Sequence, residues 1–212
     1  VGQVVIARDP VVSEKGPNNT ASQAEEVTLP ATLCGTIEKA EDVDFYKFKV
    51  NPGVSLSFHV RCSRLQNKIH DLQAHADPIL TLRSAQGTTL ATSDNYFFAD
   101  PFLRHRFEQG GEYLLEIRDL RYHGDANWNY SIDVSPRPFV TNVFPVGISP
   151  GEQSQVEFVG FQVPPQSSSA ITFPKDHPVV SMSIAFPMVY QITTPVSGFS
   201  SSLSAVLDLP GD

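Results

Sequence analysis

Apolar and polar residues alternate in short runs throughout the chain, and Gly, Pro, Asn and Asp punctuate the runs. No stretch keeps a helical spacing of apolar positions, so the pattern predicts many short β-strands joined by turns. Residues 1–7 read as a strand, 8–20 as an extended Pro-containing linker, and 21–26 as a short helical turn. Residues 32–37 and 45–50 follow as strands, with Tyr46, Phe48 and Val50 on one face of the second. Asn51-Pro52-Gly53 is turn chemistry, and 54–60 alternates again with Leu56, Phe58 and Val60 on one face. That pair is expected to form a hairpin. Further hairpins are expected from 77–83 with 89–93 and from 102–107 with 112–119, while 129–134 forms a closing strand. Residues 61–76 read as a loop with one helical turn, and 94–100 as an aromatic, acidic loop.

Ser135-Pro136-Arg137-Pro138 marks a shift in composition and a domain boundary. Beyond it, 139–145 and 155–160 are expected strands of a smaller module, with a serine-rich loop at 166–170 and further β-prone runs near Ile171 and Val189. The expected organisation is a strand or linker from a preceding domain (1–13), an antiparallel β-sandwich (14–136) and a smaller β-module (137–212). The abrupt strand at the start and the loop-like tail suggest a slice of a longer polypeptide.

Length and charge narrow the functional classes. A chain of 212 residues can bury a core in each of two modest domains. A formal charge of −8 and a pI near 5.2 argue against nucleic acid as partner, because a polyanion requires a basic face. Nothing approaches the run of about 18 apolar residues that would cross a membrane as a helix. Two cysteines, Cys34 and Cys62, leave open one disulfide or two buried thiols. None of the six histidines stands in a catalytic or metal-binding motif. A hydrolase built on a spatial carboxylate pair would leave no local pattern, so that class stays as an alternative.

Two groups of residues carry candidate chemistry. Glu14, Asn18 and Asn19 lie in the entry segment, and Asp42 and Asp44 lie where a strand begins; hard oxygen donors of this kind suit calcium. The competing reading is that the asparagines cap a turn and the aspartates satisfy loop amides. Tyr96, Phe97, Phe98, Tyr122 and Trp128, with Asp94 and Asp100, stand in or beside loops expected to converge at one end of the sandwich. Aromatic faces there would stack on sugar rings or on prolines of a fibrous protein; core packing is their other reading.

Taken together, Glu14 with Pro17-Asn18-Asn19, Gly35-Thr36-Ile37, Asp42-Val43-Asp44-Phe45-Tyr46-Lys47-Phe48, Gly53, Asp77-Pro78-Ile79-Leu80-Thr81-Leu82, Gly87, Ser93-Asp94 and Gly111-Glu112-Tyr113 resemble the bacterial pre-peptidase C-terminal domain over residues 14–135. The resemblance implies a jelly-roll-like sandwich on a secreted, periplasmic or cell-surface protein, related to collagen-binding domains that take calcium. Val143-Phe144-Pro145, Gly151 and Val156-Glu157-Phe158-Val159-Gly160-Phe161 are similar to the opening of an Ig-like transcription-factor-type module. One departure stands out: where the first family often carries a second glutamate before the proline, this chain has Gly16. The function expected is a non-catalytic binding or adhesion module, calcium-stabilised, that engages polysaccharide or fibrous protein and neighbouring domains of its own polypeptide. A passive spacer in a repeat-built surface protein is the rival.

Overall fold

The computed structural model describes residues 5–66 and 75–175, and the backbone of two further strands at 181–185 and 189–193. The chain divides into two compact units, residues 1–136 and 137–212.

The first unit is a β-sandwich of two five-stranded sheets. Its strands in chain order are β1 (Val11–Ser13), β2 (Glu25–Glu26), β3 (Ala31–Thr36), β4 (Val43–Val50), β5 (Ser55–Arg61), β6 (Pro78–Ser84), β7 (Thr89–Ser93), β8 (Phe102–Arg106), β9 (Gly111–Asp119) and β10 (Asn129–Ser135). One sheet runs β1-β3-β10-β5-β8 and the other β2-β4-β9-β6-β7. Pairing is antiparallel except at two edges, where β1 lies parallel to β3 and β2 parallel to β4.

Alternation decides which faces meet. Tyr46 and Phe48 of β4, Leu115 and Ile117 of β9, and Leu80 and Leu82 of β6 point inward from one sheet; Leu33, Phe58, Val60 and Ile132 point inward from the other. Phe48 bridges the layers, its ring centroid 6.0 Å from Phe58 and 6.1 Å from Phe107. Each such fully buried side chain contributes about 1.5–3 kcal/mol relative to exposure.

Two of the expected hairpins are corrected. β4 and β5 lie in different sheets, and so do β8 and β9: β4 pairs with β2 and β9, while β5 pairs with β10 and β8. Alternation reports which face is buried, and a Pro-Gly turn connects strands whether it closes a hairpin or crosses between layers. Only β6 and β7 pair as the sequence suggests. The entry segment is corrected as well. It contains β1, which extends the sheet beside β3, so residues 11–13 pack with the sandwich; three residues on an edge leave no periodic signal. Residues 5–7 form no strand, and 1–4 lie outside the described residues. The helical turns expected near 21–26 and within 61–76 are single 3-10 turns, Ala21–Gln23 and Ser63–Leu65.

In the second unit β11 (Phe139–Phe144), β12 (Gln153–Phe161) and β13 (Ser168–Thr172) form an antiparallel sheet that buries Val156 and Phe158. β14 (Ser181–Ala185) and β15 (Val189–Thr193) form a separate hairpin. The expected run near Ile171 is β13. Among the described residues, no helix is long and apolar enough to cross a membrane.

Candidate functional site

Glu14, Asn18 and Asp44 meet at one corner of the sandwich. Backbone pairing brings them there: the Glu14 amide donates to the Cys34 carbonyl at 2.8 Å, continuing the β1–β3 ladder, and the Phe45 amide donates to the Asn18 carbonyl at 2.9 Å. The entry segment is thus stitched to β3 on one side and β4 on the other.

The Asn18 side chain, only 1% exposed, is the centre of the corner. Its amide faces Asp44 Oδ1 at 3.0 Å, Glu14 Oε1 at 3.1 Å and the Gly16 carbonyl oxygen at 3.3 Å. With Nδ2 turned toward them, the amide donates to all three; with Oδ1 turned toward them, four oxygens face one another. Glu14 is fixed further by the Thr36 amide, which donates to Oε2 at 3.2 Å. Asp44 Oδ2 accepts from the Tyr130 hydroxyl at 2.7 Å, and the Tyr46 hydroxyl is 2.7 Å from that of Tyr130. Because Tyr130 has one proton and gives it to Asp44, Tyr46 is the donor to Tyr130.

The electrostatics follow from burial. Burial pushes the Asp44 carboxyl up to about 8, and the negative charges of Glu14 and Asp42 add to the rise. Glu14 is also raised, first by burial and then by Asp42 and Glu38, against the opposing Thr36 amide. Burial likewise raises Tyr46 and Tyr130, so both stay neutral donors. Two carboxylates this close in a desolvated corner need a shared proton or a counter-cation.

The expected calcium ligands divide into two layers. Glu14, Asn18 and Asp44 share the corner. Asn19 and Asp42 do not point into it: Asn19 Nδ2 donates to Asp42 Oδ1 at 3.0 Å, and the Glu38 amide donates to Asp42 Oδ2 at 2.8 Å. Asp42 lies just before β4, while Asp44 is within it. Among the described residues, no group of three or more His, Cys, Asp or Glu side chains is gathered in a metal-holding arrangement. The corner instead offers two carboxylates, one side-chain amide oxygen and the Gly16 carbonyl. The distances of 3.0–3.3 Å run from one Asn18 amide atom to its three neighbours, so an ion at the centre would have to displace that amide; the oxygens themselves are of the hard kind that calcium takes. Gly16, at a φ of 146° that favours glycine, turns its carbonyl oxygen toward the Asn18 amide.

The expected ligand-binding residues separate sharply. Loops 38–42, 94–101 and 119–128 leave the second sheet at one end, because β4 and β6 begin, and β9 and β7 finish, at matching register positions. Tyr122 and Tyr96 are there, each 47% exposed. The Arg118 guanidinium lies 4.2 Å from the Tyr122 ring centroid, and Tyr96 packs on Phe97 and Phe102 at 4.8 and 5.1 Å. Asp94 is half-buried and takes the Asn95 amide at 2.7 Å, an ordinary turn contact. Two expectations are overturned. Trp128 is 5% exposed and belongs to the core, where its carbonyl accepts the Ile37 amide at 3.0 Å. Asp100 is wholly buried, and its oxygens accept the Cys62, Ser63 and Arg64 amides and Arg64 Nε, at 2.7–3.2 Å. Neither presents a surface to a polymer. Cys34 and Cys62 are both free thiols, the second buried.

Sequence reasoning missed Tyr46, Tyr130 and Gly35 as parts of the corner. A tyrosine at a core position of an alternating strand is itself a signal, since its buried hydroxyl needs a partner. Gly35 packs so tightly beneath the corner that a Cβ would meet the Tyr130 hydroxyl and lie 2.6 Å from Glu14 Oε2.

Neither a protein-family model nor a curated protein sequence matches the chain. Among solved structures, the chain is similar to the pre-peptidase C-terminal domain of a collagenase from Bacillus anthracis, with a TM-score of 0.40, 16% identity, and coverage of 53% of this chain and 94% of that one. It is also similar to the periplasmic inhibitors of g-type lysozyme from Aeromonas hydrophila (TM-score 0.34, 11% identity, 60% of this chain and 99% of that one) and Salmonella Typhimurium (TM-score 0.33, 16% identity, 53% and 97%). At these scores the likenesses carry no functional assignment. The fold class, an all-β sandwich followed by a smaller β-unit, stands on the chain's own sheets.

Proposed function

We propose that this chain is a non-catalytic binding module of a larger exported protein, stabilised by calcium and engaging a polysaccharide or a fibrous protein. The observation that supports it most is the Asn18 corner, where oxygens of the entry segment and of β4 converge around one position. Glu14, Asn18, Asp44 and the Gly16 carbonyl would hold the ion, and Tyr130 and Asp42 with Asn19 would orient that set from behind. Calcium supplies positive charge that lets both carboxylates ionise together. Because the donors come from both sides of the junction, the ion would pin the entry segment, and whatever precedes it, to the sandwich.

Tyr122, Tyr96 and Phe98, the last 89% exposed, are exposed aromatics at the loop end of the sandwich suited to stack on a ring-bearing polymer. The approaching carboxylates, Glu14 and Asp44, meet around a buried amide with no open cleft between them, which disfavours the hydrolase alternative. Tandem β-units favour the passive spacer as the second reading. Retention on insoluble collagen and on insoluble polysaccharides separates the two. Binding that falls at least tenfold in Tyr122→Ala supports the module; no retention on any polymer supports the spacer.

A further inference from the structure

Among the described residues of the first unit, every exposed aromatic sits in two loops at one end: Tyr96 and Phe98 between β7 and β8, and Tyr122 after β9. The same end holds the unit's non-glycine residues with left-handed backbones, Glu41, Phe98 and Tyr122, at φ 65°, 57° and 57°. Such backbones cost free energy, most of all for bulky side chains, and they gather at functional surfaces.

Phe98, with 89% of its surface in water, adds little to the core. It stands at the apex of a tight turn closed by two hydrogen bonds: the Phe97 amide donates to the Asp100 carbonyl at 2.9 Å, and the Asp100 amide to the Phe97 carbonyl at 3.1 Å. The base of the turn is fixed. The Arg64 guanidinium lies 4.9 Å from the Phe97 ring centroid, and wholly buried Asp100 holds Arg64 Nε at 2.7 Å. The apex ring is therefore presented already ordered, which lowers the entropic cost of a contact made through it.

Charge decides what fits against these rings. Loops 38–42, 94–101 and 119–128 carry seven Asp and Glu side chains against two cations, Lys39 and Arg121. Both cations are paired, Lys39 with Glu38 at 3.1 Å and Arg121 with Asp77 at 3.6 Å. Glu41 and Asp94 have no cationic partner among the described residues. Each aromatic loop thus comes with one unpaired carboxylate: Asp94 shares a loop with Tyr96 and Phe98, and the Glu41 amide donates to the Tyr122 carbonyl at 3.0 Å. β9 and β7 are two positions apart in their sheet, so the aromatic loops leave it about 10 Å apart. A ring and an anion, repeated at that interval, match a chain of rings that carry cations.

We propose that this end binds a polysaccharide whose units carry free amino groups, sugar faces lying on Phe98 and Tyr122 and ammonium groups at Asp94 and Glu41. This rests on the binding-module reading above and selects within it. The same carboxylates repel acidic polymers and anionic lipid surfaces, and a neutral glycan leaves them unused.

Retention of the whole chain on insoluble chitosan, a glucosamine polymer, and on chitin, its N-acetylated counterpart, tests this at about pH 5.5, where Asp and Glu stay ionised. The expected result is retention about tenfold stronger on chitosan, falling to the chitin level in the double variant Glu41→Gln, Asp94→Asn. Phe98→Ser should lower retention about fivefold on both polymers, and Phe98→Tyr should restore it. Glu108→Gln with Glu112→Gln removes the same charge at the opposite end, where β9 starts, and should leave retention unchanged. Equal losses in the two double variants mean simple ion exchange and overturn the proposal. Equal retention on chitosan and chitin, or retention on insoluble collagen alone, overturns it while the binding-module reading stands. No retention on any of these polymers removes both.

Discussion

Tyr130 of one sheet donates its hydroxyl to Asp44 Oδ2 of the other at 2.7 Å, across the interior of the sandwich. The bond fixes one oxygen of the carboxyl and leaves the other facing Asn18. Removing the donor leaves a buried carboxyl short of a partner and the Tyr46 hydroxyl without its acceptor. Tyr130→Phe should therefore destabilise the fold by about 2 kcal/mol, read as a lowered denaturant midpoint at unchanged m-value. The same variant should weaken calcium binding, read by isothermal titration.

Gly35 is a steric requirement of the corner. Its backbone φ lies outside the left-handed region, so the constraint is space: a methyl has none between Glu14 and Tyr130. Gly35→Ala should cost roughly 1–3 kcal/mol in chemical denaturation and should displace Glu14 from its Thr36 amide. An unaltered midpoint would mean that the corner is looser than its distances indicate.

Trp128 and Tyr122 should respond in opposite ways to truncation. Trp128→Ala removes a core side chain and should cost about 3–5 kcal/mol. Tyr122→Ala, at an exposed loop position, should change stability by no more than about 0.5 kcal/mol, so that any loss of polymer retention reports on binding. As the single tryptophan, Trp128 also makes fluorescence a clean folding probe, with blue-shifted emission in the native state.

His59 is a buried group whose protonation opposes folding in acid. Burial, then the charges of Arg61 and Arg64, lowers its pKa to about 2, and Arg64 Nη2 lies 3.0 Å from its Nε2. The unfolded chain takes up a proton at this site near pH 6.5 and the folded chain does not. Its contribution is complete above about pH 6.5 and lost as pH falls, by about 1.4 kcal/mol per unit. Between pH 7 and 4 the raised Asp44 carboxyl contributes a slope of the opposite sign, so the His59 term is read as a difference: relative to the parent chain, His59→Gln should gain about 1.4 kcal/mol per unit of pH lowered.

The strands were legible because β4 and β5 alternate cleanly, with Asp44, Tyr46 and Phe48 buried from one and Leu56, Phe58 and Val60 from the other. Their pairing was not legible, since the partners β9 and β10 lie more than sixty residues onward. At the site, Glu14, Asn18 and Asp44 were visible as oxygen-bearing residues at a turn and a strand start. Tyr130 and Gly35 were not, because a core tyrosine and a strand glycine acquire their roles only from what faces them. Trp128 and Asp100 misled for the same reason: a loop-like neighbourhood of Asn, Asp and Gly says nothing of the layer beneath it.

Thermal unfolding in calcium and in chelator tests the Asn18 corner most directly. At calcium a hundredfold above its dissociation constant, linkage stabilises the folded chain by about 2.7 kcal/mol. For a unit of this size that is a rise in Tm of roughly 10 °C, and Asp44→Asn should abolish it. Superimposed melting curves in calcium and in chelator would contradict a cation at this corner and leave the Asn18 amide as its permanent bridge.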